Sequence, residues 1–340
     1  MKGMYYLGNK KFEMREMPIA LGAKDVLVKV AACGVCGTDV HIYNGEKGSA
    51  EVKPPVVLGH EFSGEVVDAG SCVTTVKAGD HVSVDPNIYC GQCHFCRTGK
   101  KQHCENLLAI GVNRDGGFAE YCVVPESQCF LLDPAVPLTH GAMCEPVACC
   151  IHGVDRAAIR HGDTVCVIGG GAIGLIMVQL AKLAGASKVI LSEPVALRRE
   201  IGRKVGADYA IDPISADIST SIKGITGTDG VDKVIECVGN LSATEQAFEA
   251  AKRGATVLLF SVPKPDAVFG LALMDVFKKE LTISGSFINP DTHQRAVDMI
   301  NSGKLQLEPI ITHSFPLEKL EEAIFAQISS DSIKVVVVPQ

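Results

Sequence analysis

Short apolar segments alternate with amphipathic ones along the middle of the chain. The apolar segments are rich in Val and Ile, and they lie at residues 164–168, 188–192, 209–211, 233–237, 256–261 and 281–284. Between most of them apolar residues recur at helical spacing, as at 172–183, 196–205 and 243–251. Strands that alternate with helices are typical of a parallel sheet covered on both faces. The pattern predicts a doubly wound sheet of six strands, the number in a complete dinucleotide-binding fold.

The residues on either side of this region follow a different pattern. Apolar and polar residues alternate at 25–31 and 81–84, and turn sequences such as Pro54-Pro55 are frequent, which predicts mainly β structure up to about residue 147. The tail from about residue 287 has helical spacing near 292–302 and 317–329. A final β-branched segment at 333–338 predicts a strand.

The composition is typical of a globular protein and argues against two functional classes. The chain has 340 residues, enough for two domains, with 47% hydrophobic and 21% charged residues. The net charge is −7 and basic residues form no stripe, so we expect no nucleic-acid partner. Residues 164–181 carry no charge but include four glycines, so they predict a strand, a turn and a helix and not a membrane span.

The cysteine content indicates a reducing compartment. Fourteen cysteines in a chain of this length do not resemble the disulfide framework of a short secreted domain. Charged residues interrupt the first thirteen positions too early for the apolar core of a signal peptide. We therefore expect a cytoplasmic protein with free or metal-bound thiols.

Four of these cysteines form the most specific motif of the sequence. Cys90, Cys93, Cys96 and Cys104 have the spacing C-x2-C-x2-C-x7-C. Four thiolates so close in sequence can close a tetrahedral shell around Zn2+ and leave no open position, which predicts a structural zinc. An iron–sulfur cluster is the rival interpretation, although the last gap is longer than in bacterial ferredoxins and Glu105 follows instead of Pro.

A glycine-rich turn after the first predicted parallel strand predicts a nucleotide site. Gly169, Gly171 and Gly174 have the spacing G-x-G-x-x-G and open a predicted helix, so backbone N–H groups can approach a pyrophosphate. We assign Ile173, inside the motif, to the same site. Small residues after the fourth and fifth strands, Gly239 and Ser261, are expected to border the cofactor.

The second parallel strand ends at an acidic residue that bears on the choice of cofactor. Glu193 stands where a carboxylate accepts hydrogen bonds from the adenosine ribose, and it would repel a 2′-phosphate, which favours NAD over NADP. Arg198 and Arg199 follow closely and weaken this preference, because arginine can accommodate a 2′-phosphate.

The order of the motifs along the chain resembles the zinc-dependent medium-chain alcohol and polyol dehydrogenases, and the sorbitol dehydrogenase branch in particular. The resemblance rests on C-G-V-C-G-T-D-V-H around Cys36, on G-H-E at His60 and Glu61, on the four-cysteine loop and on the later glycine turn, and it covers essentially the whole chain. It implies a GroES-like, mainly β catalytic domain at 1–147 and 287–340 and a Rossmann NAD-binding domain at 148–286. It also implies a homo-oligomer, a dimer or a tetramer.

The resemblance further implies a catalytic zinc, and therefore two Zn2+ ions per chain. Cys36, His60 and a residue of C-E-P-V-A-C-C would surround it. Alignment with the polyol branch favours Glu145, and a slip of one residue would place Cys144 there. Glu61 would either bind the metal directly or support its ligands.

The chemistry implied is hydride transfer between a small alcohol and NAD. Zinc lowers the pKa of a bound hydroxyl, and the cofactor accepts the hydride. By resemblance Thr38 and His41 would carry the released proton outwards. Thr38 and Asp39 are also candidates for a helix N-cap.

Two positions depart from the sorbitol branch and leave the substrate open. Ile42 replaces an aromatic residue, and Ile288 replaces an arginine after the sixth strand. We expect oxidation of a secondary alcohol, most simply a sugar alcohol. An L-threonine 3-dehydrogenase-like activity and a sugar-alcohol-phosphate dehydrogenase are alternatives, although the threonine branch usually has Asp where Glu145 stands. An NAD(H)-responsive binding protein is the non-enzymatic alternative.

Overall fold

A computed structural model describes residues 2–16, 18–46 and 52–339. The chain separates into two compact units, residues 1–148 with 289–340 (unit 1) and residues 149–288 (unit 2). Among the described residues, no helix has the length and apolar composition needed to cross a bilayer.

The first part of unit 1 consists of short strands with few helical turns. Its strands are β1 (Lys2–Tyr6), β2 (Phe12–Glu16), β3 (Asp25–Gly34), β4 (Val56–Val57), β5 (Glu61–Ala69), β6 (His81–Val84), β7 (Asn87–Ile88), β8 (Leu108–Ala109), β9 (Tyr121–Pro125) and β10 (Cys129–Leu131). Its helices are α1 (Gly37–Tyr43), α2 (His94–Arg97), α3 (Leu138–Gly141) and α4 (Cys144–Ala157), the last of which continues into unit 2. This confirms the mainly β character predicted for the region.

Unit 2 alternates strands with helices, as the apolar pattern predicts. Its elements are β11 (Thr164–Ile168), α5 (Ala172–Leu183), β12 (Lys188–Ser192), α6 (Ala196–Lys204), β13 (Tyr209–Ile211), α7 (Ile218–Thr226), β14 (Val231–Glu236), α8 (Leu241–Ala250), β15 (Ala251–Leu259), α9 (Leu273–Lys279) and β16 (Thr282–Gly285). The six strands are parallel in the order β13-β12-β11-β14-β15-β16, so the order reverses between β11 and β14. The predicted doubly wound sheet is confirmed.

The tail adds α10 (His293–Asn301), β17 (Ile311–Pro316), α11 (Leu320–Gln327) and β18 (Lys334–Val338) to unit 1. Strand β18 pairs antiparallel with β3, and β17 pairs parallel with β18. The main sheet of unit 1 has the order β10-β6-β5-β3-β18-β17, and β9 also pairs with β3. The tail therefore contributes strands to the same sheet that carries β3 and β5.

The pattern does not predict α7, α9 or β17. Helix α7 is rich in Ser and Thr, and it depends on its ends: the Asp217 side chain accepts from Thr220 N, and Gly227 closes the helix in the left-handed region. Helix α9 exposes its apolar side chains, so it has no helical stripe facing a core. The predicted helix at 317–329 is shorter, because residues 317–319 form a 3-10 turn before α11.

A buried polar network joins the tail to the first part of unit 1. Asp85 Oδ1 accepts from Asn87 N (3.1 Å) and from Asn289 Nδ2 (3.3 Å), and Asn87 Nδ2 donates to Asn289 Oδ1 (2.5 Å). Gln128 Nε2 donates to the backbone oxygens of Asp85 and Asn87. Burial raises the pKa of Asp85 to about 6, although the hydrogen bonds from Asn87 and Asn289 lower it. The negative charge of Asp291 adds to the rise.

This raised pKa predicts that Asp85 destabilises the fold at neutral pH. An acid whose pKa rises on folding loses stability as pH increases from its unfolded value, near 4, through about 6. Asp85→Asn keeps an accepting oxygen and removes the buried charge, so it should stabilise the protein by about 2–3 kcal/mol at pH 8. The stabilisation produced by Asp85→Asn should decrease as the pH falls towards 4. Urea unfolding at several pH values measures it, with the exposed Asp229→Asn as control. Equal or lower stability at pH 8 would contradict the prediction.

Candidate metal centres and nucleotide site

The pairing of β3 with β5 assembles the first metal-binding group. Gly34, at the end of β3, lies opposite Glu61, at the start of β5. Cys36 follows β3 as the N-cap residue of α1, and His60 immediately precedes β5. One donor atom from each of Cys36, His60 and Glu61 lies within 4.8 Å of the other two. Thiolate, imidazole and carboxylate are the ligands of protein zinc sites, so this donor set fits Zn2+.

Asp39 lies behind this group and was not assigned to it from the sequence. Its Oδ2 accepts from Cys36 N (2.9 Å), and its Oδ1 is 3.7 Å from His60 Nδ1. Neither Oδ1 nor Nδ1 has a hydrogen-bond partner by normal criteria, although both are buried. A carboxylate beside the second nitrogen of a metal-binding histidine orients the ring. Cys36 occupies the N-cap, so neither Thr38 nor Asp39 does.

The charges around His60 favour its protonated form when no metal is bound. Burial lowers the pKa of His60, but the negative charges of Asp39 and Cys36 outweigh burial and raise it well above its usual value. Burial also raises the pKa of Asp39, and His60 opposes that rise. Asp39 therefore stabilises the positive charge of His60, and His60 stabilises the negative charge of Asp39.

A buried ion pair from the tail completes the surroundings of Glu61. Lys334, the first residue of β18, bonds Glu61 Oε2 through Nζ and also donates to Val35 O (3.0 Å). Both side chains of the pair are almost completely buried. A Cβ on Gly34 would collide with Glu61 Oε2 and with the Lys334 side chain, so glycine makes room for the pair. Nothing in the sequence pattern indicates Lys334, because it is remote from the motifs.

Glu145 lies outside this group but affects it electrostatically. It is buried in the first turn of α4 and lies outside the set of three residues with donor atoms within 4.8 Å. Its negative charge nevertheless contributes to the raised pKa values of His60 and Lys334. The neighbouring Cys144 is fully buried and bonds Ser83. The assignment of Glu145 to the catalytic zinc stays a prediction.

Thr38 and His41 lie three residues apart on α1, a spacing that places them on neighbouring turns of one face. Thr38 is partly buried. The His41 side chain reaches solvent and its Nδ1 is 2.5 Å from Glu46 Oε2. Glu46 is a partner that the sequence motifs do not include.

The four cysteines form a second group. Cys93 caps α2, Cys96 lies within α2, and Cys90 and Cys104 flank this helical segment. Their four sulfur atoms lie within 4.8 Å of one another. Cys90 N donates to Cys104 Sγ (3.3 Å), and Cys93 N donates to Cys90 Sγ (3.4 Å). N–H groups directed at sulfur lower the pKa values of Cys90 and Cys93, which favours thiolates there, whereas burial raises the pKa of Cys96 to about 12. A divalent metal bound by all four sulfur atoms would stabilise the remaining thiolates.

The glycine turn between β11 and α5 has the shape needed for close approach of a phosphate. Gly169 adopts a φ of 99°, which a residue with a side chain rarely tolerates. A Cβ on Gly174 would lie against Gly169 O, so α5 packs directly on the turn. Around Gly171 there is open space where a side chain would stand. Ile173 lies in the first turn of α5 and is partly buried. This cradle fits a dinucleotide pyrophosphate at a helix N-terminus.

The acidic residue after β12 is held by backbone N–H groups. Glu193 is buried, and it accepts from Gly170 N (2.6 Å) and from Val195 N (2.8 Å). Arg199 donates to Glu193 O and forms an ion pair with Asp212 (3.2 Å). Arg198 is partly buried beside it on α6. Gly239 and Ser261 follow β14 and β15, at the same carboxyl edge of the sheet.

Comparisons with known proteins agree with this geometry. Residues 22–134 match the family model of the alcohol dehydrogenase GroES-like domain, and residues 172–302 match that of the zinc-binding dehydrogenases. L-threonine 3-dehydrogenase of Caldanaerobacter subterraneus subsp. tengcongensis is 39% identical over 96% of this chain and 94% of its own.

Two solved structures are also similar over their whole length. A protein of Sinorhizobium meliloti 1021, described as a zinc-binding dehydrogenase bound to NADP, has a TM-score of 0.95 at 42% identity, with 99% of each chain covered. Galactitol-1-phosphate dehydrogenase of Escherichia coli has a TM-score of 0.88 at 28% identity, with 100% of each chain covered.

These matches confirm the family predicted from the motifs, but not its sorbitol dehydrogenase branch. They also confirm a GroES-like domain combined with a Rossmann domain, and dependence on zinc and a nicotinamide cofactor. The chain belongs to the zinc-dependent medium-chain alcohol dehydrogenases and is an oxidoreductase that acts on alcohols.

Proposed function

We propose that this enzyme oxidises the secondary hydroxyl of L-threonine, or of a closely similar β-hydroxy amino acid, with NAD as the hydride acceptor. The observation that carries the proposal is the 39% identity to an L-threonine 3-dehydrogenase over 96% of the chain. Relatives from Pyrococcus horikoshii and Bacillus licheniformis with the same name, at 38% and 36% identity, support it. L-threonine thus replaces a sugar alcohol as the first candidate substrate.

The residues of unit 1 would hold the metal and orient its ligands. A Zn2+ ion held by Cys36, His60 and Glu61 would lower the pKa of the substrate hydroxyl, and the nicotinamide would accept the hydride. Asp39 orients His60 from behind. Lys334 bonds Oε2 of Glu61, so Oε1 would be the oxygen available to the metal.

The proton of the hydroxyl needs a path to solvent. Thr38 and His41 lie on one face of α1, and His41 Nδ1 contacts the exposed carboxylate of Glu46. We assign Thr38 as the inner relay and His41 as the outer one. Glu46 then fixes the orientation of the imidazole and is the last group before solvent.

A sugar alcohol, free or phosphorylated, is the second candidate substrate. The resemblance to the polyol branch at Glu145 favours it. The whole-length similarity to galactitol-1-phosphate dehydrogenase supports it as well. Both candidates share a secondary hydroxyl beside other polar groups, so an enzyme that hydrogen-bonds those polar groups would discriminate between them.

We also propose a role for each of the two units. Unit 1 would be the catalytic domain with both zinc ions, and unit 2 the NAD-binding domain. The fourteen cysteines all lie among the described residues and none of them forms a disulfide, which supports a reducing compartment such as the cytoplasm.

The substrate assignment predicts a clear ranking of initial rates. With NAD, kcat/KM for L-threonine should exceed that for sorbitol, galactitol, galactitol 1-phosphate, butane-2,3-diol and ethanol by at least about tenfold, a difference of about 1.4 kcal/mol in transition-state binding. NADH absorbance measures each rate. A lead for galactitol or its phosphate would reject L-threonine in favour of the second candidate, and a lead for ethanol would reject both.

The two metal groups predict separable effects of substitution. Cys36→Ser should leave one zinc per chain, abolish turnover and keep the fold. Cys93→Ser should lower the melting temperature by more than about 5 °C, because a structural zinc contributes folding energy. The exposed Cys72 provides the control Cys72→Ser, which should change neither property. Elemental analysis and thermal unfolding measure the outcome. Iron in the four-cysteine group, or a single metal in the unsubstituted protein, would contradict the assignment.

The buried position of Glu193 predicts a preference for NAD. Its carboxylate is fixed by two N–H groups, so it cannot move away from a 2′-phosphate. We expect kcat/KM to be at least about tenfold higher with NAD than with NADP, and Glu193→Ala to reduce that ratio. Glu200→Ala, on the exposed face of α6, is the control. A preference of the unsubstituted enzyme for NADP, which the Sinorhizobium protein binds, would show that the assignment is wrong.

We also propose a homo-oligomer, a dimer or a tetramer, formed through one surface of unit 2. Strand β16 ends the sheet and pairs with β15 on one side. On α9, Leu273 and Phe277 are 80% and 77% exposed, which is typical of an interaction surface. Phe277→Lys should therefore reduce the mass measured by light scattering to that of a smaller species. Ile214→Lys, at an exposed apolar residue elsewhere, should not. A monomeric unsubstituted protein would contradict the proposal.

A further inference from the structure

Two buried carboxylates stand at the carboxyl ends of the strands that flank β11. Glu193 follows β12, and Glu236 is the last residue of β14. Their exposed fractions are only 3% and 2%. Glu193 has an expected role at the adenosine ribose. Glu236 has none so far, although burying a carboxylate requires compensation by hydrogen bonds.

Glu236 connects the segments after two strands. Its Oε1 accepts from Val238 N (2.6 Å) and from Gly239 N (2.8 Å), and its Oε2 accepts from the Ser261 hydroxyl. Its backbone oxygen also accepts from Phe260 N (3.0 Å) and from Ser261 N (3.3 Å). One residue therefore fixes the turn after β14 and the turn after β15 by charge-assisted hydrogen bonds.

The two turns are in close contact where Glu236 joins them. Gly239 adopts a φ of 87°, and a Cβ there would lie 2.9 Å from Val262 O and 3.3 Å from the Ser261 side chain. No larger residue fits without separating the turns. Loss of the carboxylate would leave the N–H groups of Val238 and Gly239 without their acceptor, which favours rearrangement of this contact.

The position of this contact relates it to the cofactor. In an open α/β sheet the dinucleotide binds beyond the carboxyl ends of the strands, where the strand order reverses, and here that place lies between β11 and β14. The half of the sheet with β12 and Glu193 receives the adenosine. The half with β14 and β15 is left for the nicotinamide.

We propose that Glu236 is a positioning residue for the nicotinamide half of the cofactor, because it fixes the Gly239 and Ser261 turns as one rigid wall. The proposal rests on the function proposed above, in which these two turns border NAD. It predicts that a substitution of Glu236 weakens binding of the nicotinamide half of the cofactor more than binding of the adenosine half. General loosening of unit 2 would affect both halves alike.

The test compares the binding of NADH with that of AMP, which contains only the adenosine half. Dissociation constants are measured on the zinc-loaded enzyme, by NADH fluorescence and by calorimetry for AMP. Glu236→Ala should weaken NADH binding by at least about tenfold and change AMP binding less than about twofold. Glu236→Gln should restore NADH binding to within about threefold of the unsubstituted enzyme, because its amide oxygen still accepts from both N–H groups.

Two further variants keep the test decisive. Glu193→Ala should weaken AMP binding, because Glu193 is assigned to the adenosine half of the cofactor. Glu236→Asp keeps the charge but shortens its reach, so it should weaken NADH binding selectively even where Glu236→Ala does not fold. Equal loss of AMP and NADH binding, or unchanged NADH binding, in Glu236→Ala and Glu236→Asp would overturn the proposal. If the unsubstituted enzyme binds no NADH, the proposed function itself fails.

Discussion

The structure of unit 1 depends on balancing the negative charge that is buried around Cys36. Asp39 and Glu61 are both buried beside it, and Glu145 contributes a further negative charge. Removing carboxylates from water costs several kcal/mol each unless cations and hydrogen bonds compensate. Lys334 supplies one buried positive charge. A divalent cation at Cys36 would supply the rest.

The sheet of unit 1 brings these charges together from distant parts of the sequence. Gly34 pairs with Glu61 on one side and with Val336 of the tail on the other. Lys334 therefore reaches Glu61 only because β18 lies beside β3. The absence of a side chain at Gly34 provides the space for the ion pair. The tail is accordingly part of the candidate site, and the same strand pairing both forms the sheet and sets the charge around Glu61.

The sequence predicts those parts of the site whose partners are close together along the chain. The four cysteines and the glycine turn are local motifs, because their geometry depends on a few consecutive turns. Lys334 and Glu236 could not be predicted in this way, since their roles arise from strand pairing and from contact between two separate turns. Asp39 is an intermediate case: its place three residues after Cys36 indicates a helix start, but its approach to His60 requires the β3–β5 register.

We expect zinc to balance the buried negative charge at Cys36, in addition to the metal of the four-cysteine group. Anomalous X-ray diffraction measured on both sides of the zinc absorption edge tests it most directly, because it locates the element without relying on activity. We expect two zinc peaks per chain. One should lie among Cys36, His60 and Glu61, and the other among Cys90, Cys93, Cys96 and Cys104. A fully metal-loaded crystal with no zinc peak at Cys36, while Lys334 remains the only cation bound to Glu61, would contradict the assignment of a zinc site to Cys36, His60 and Glu61.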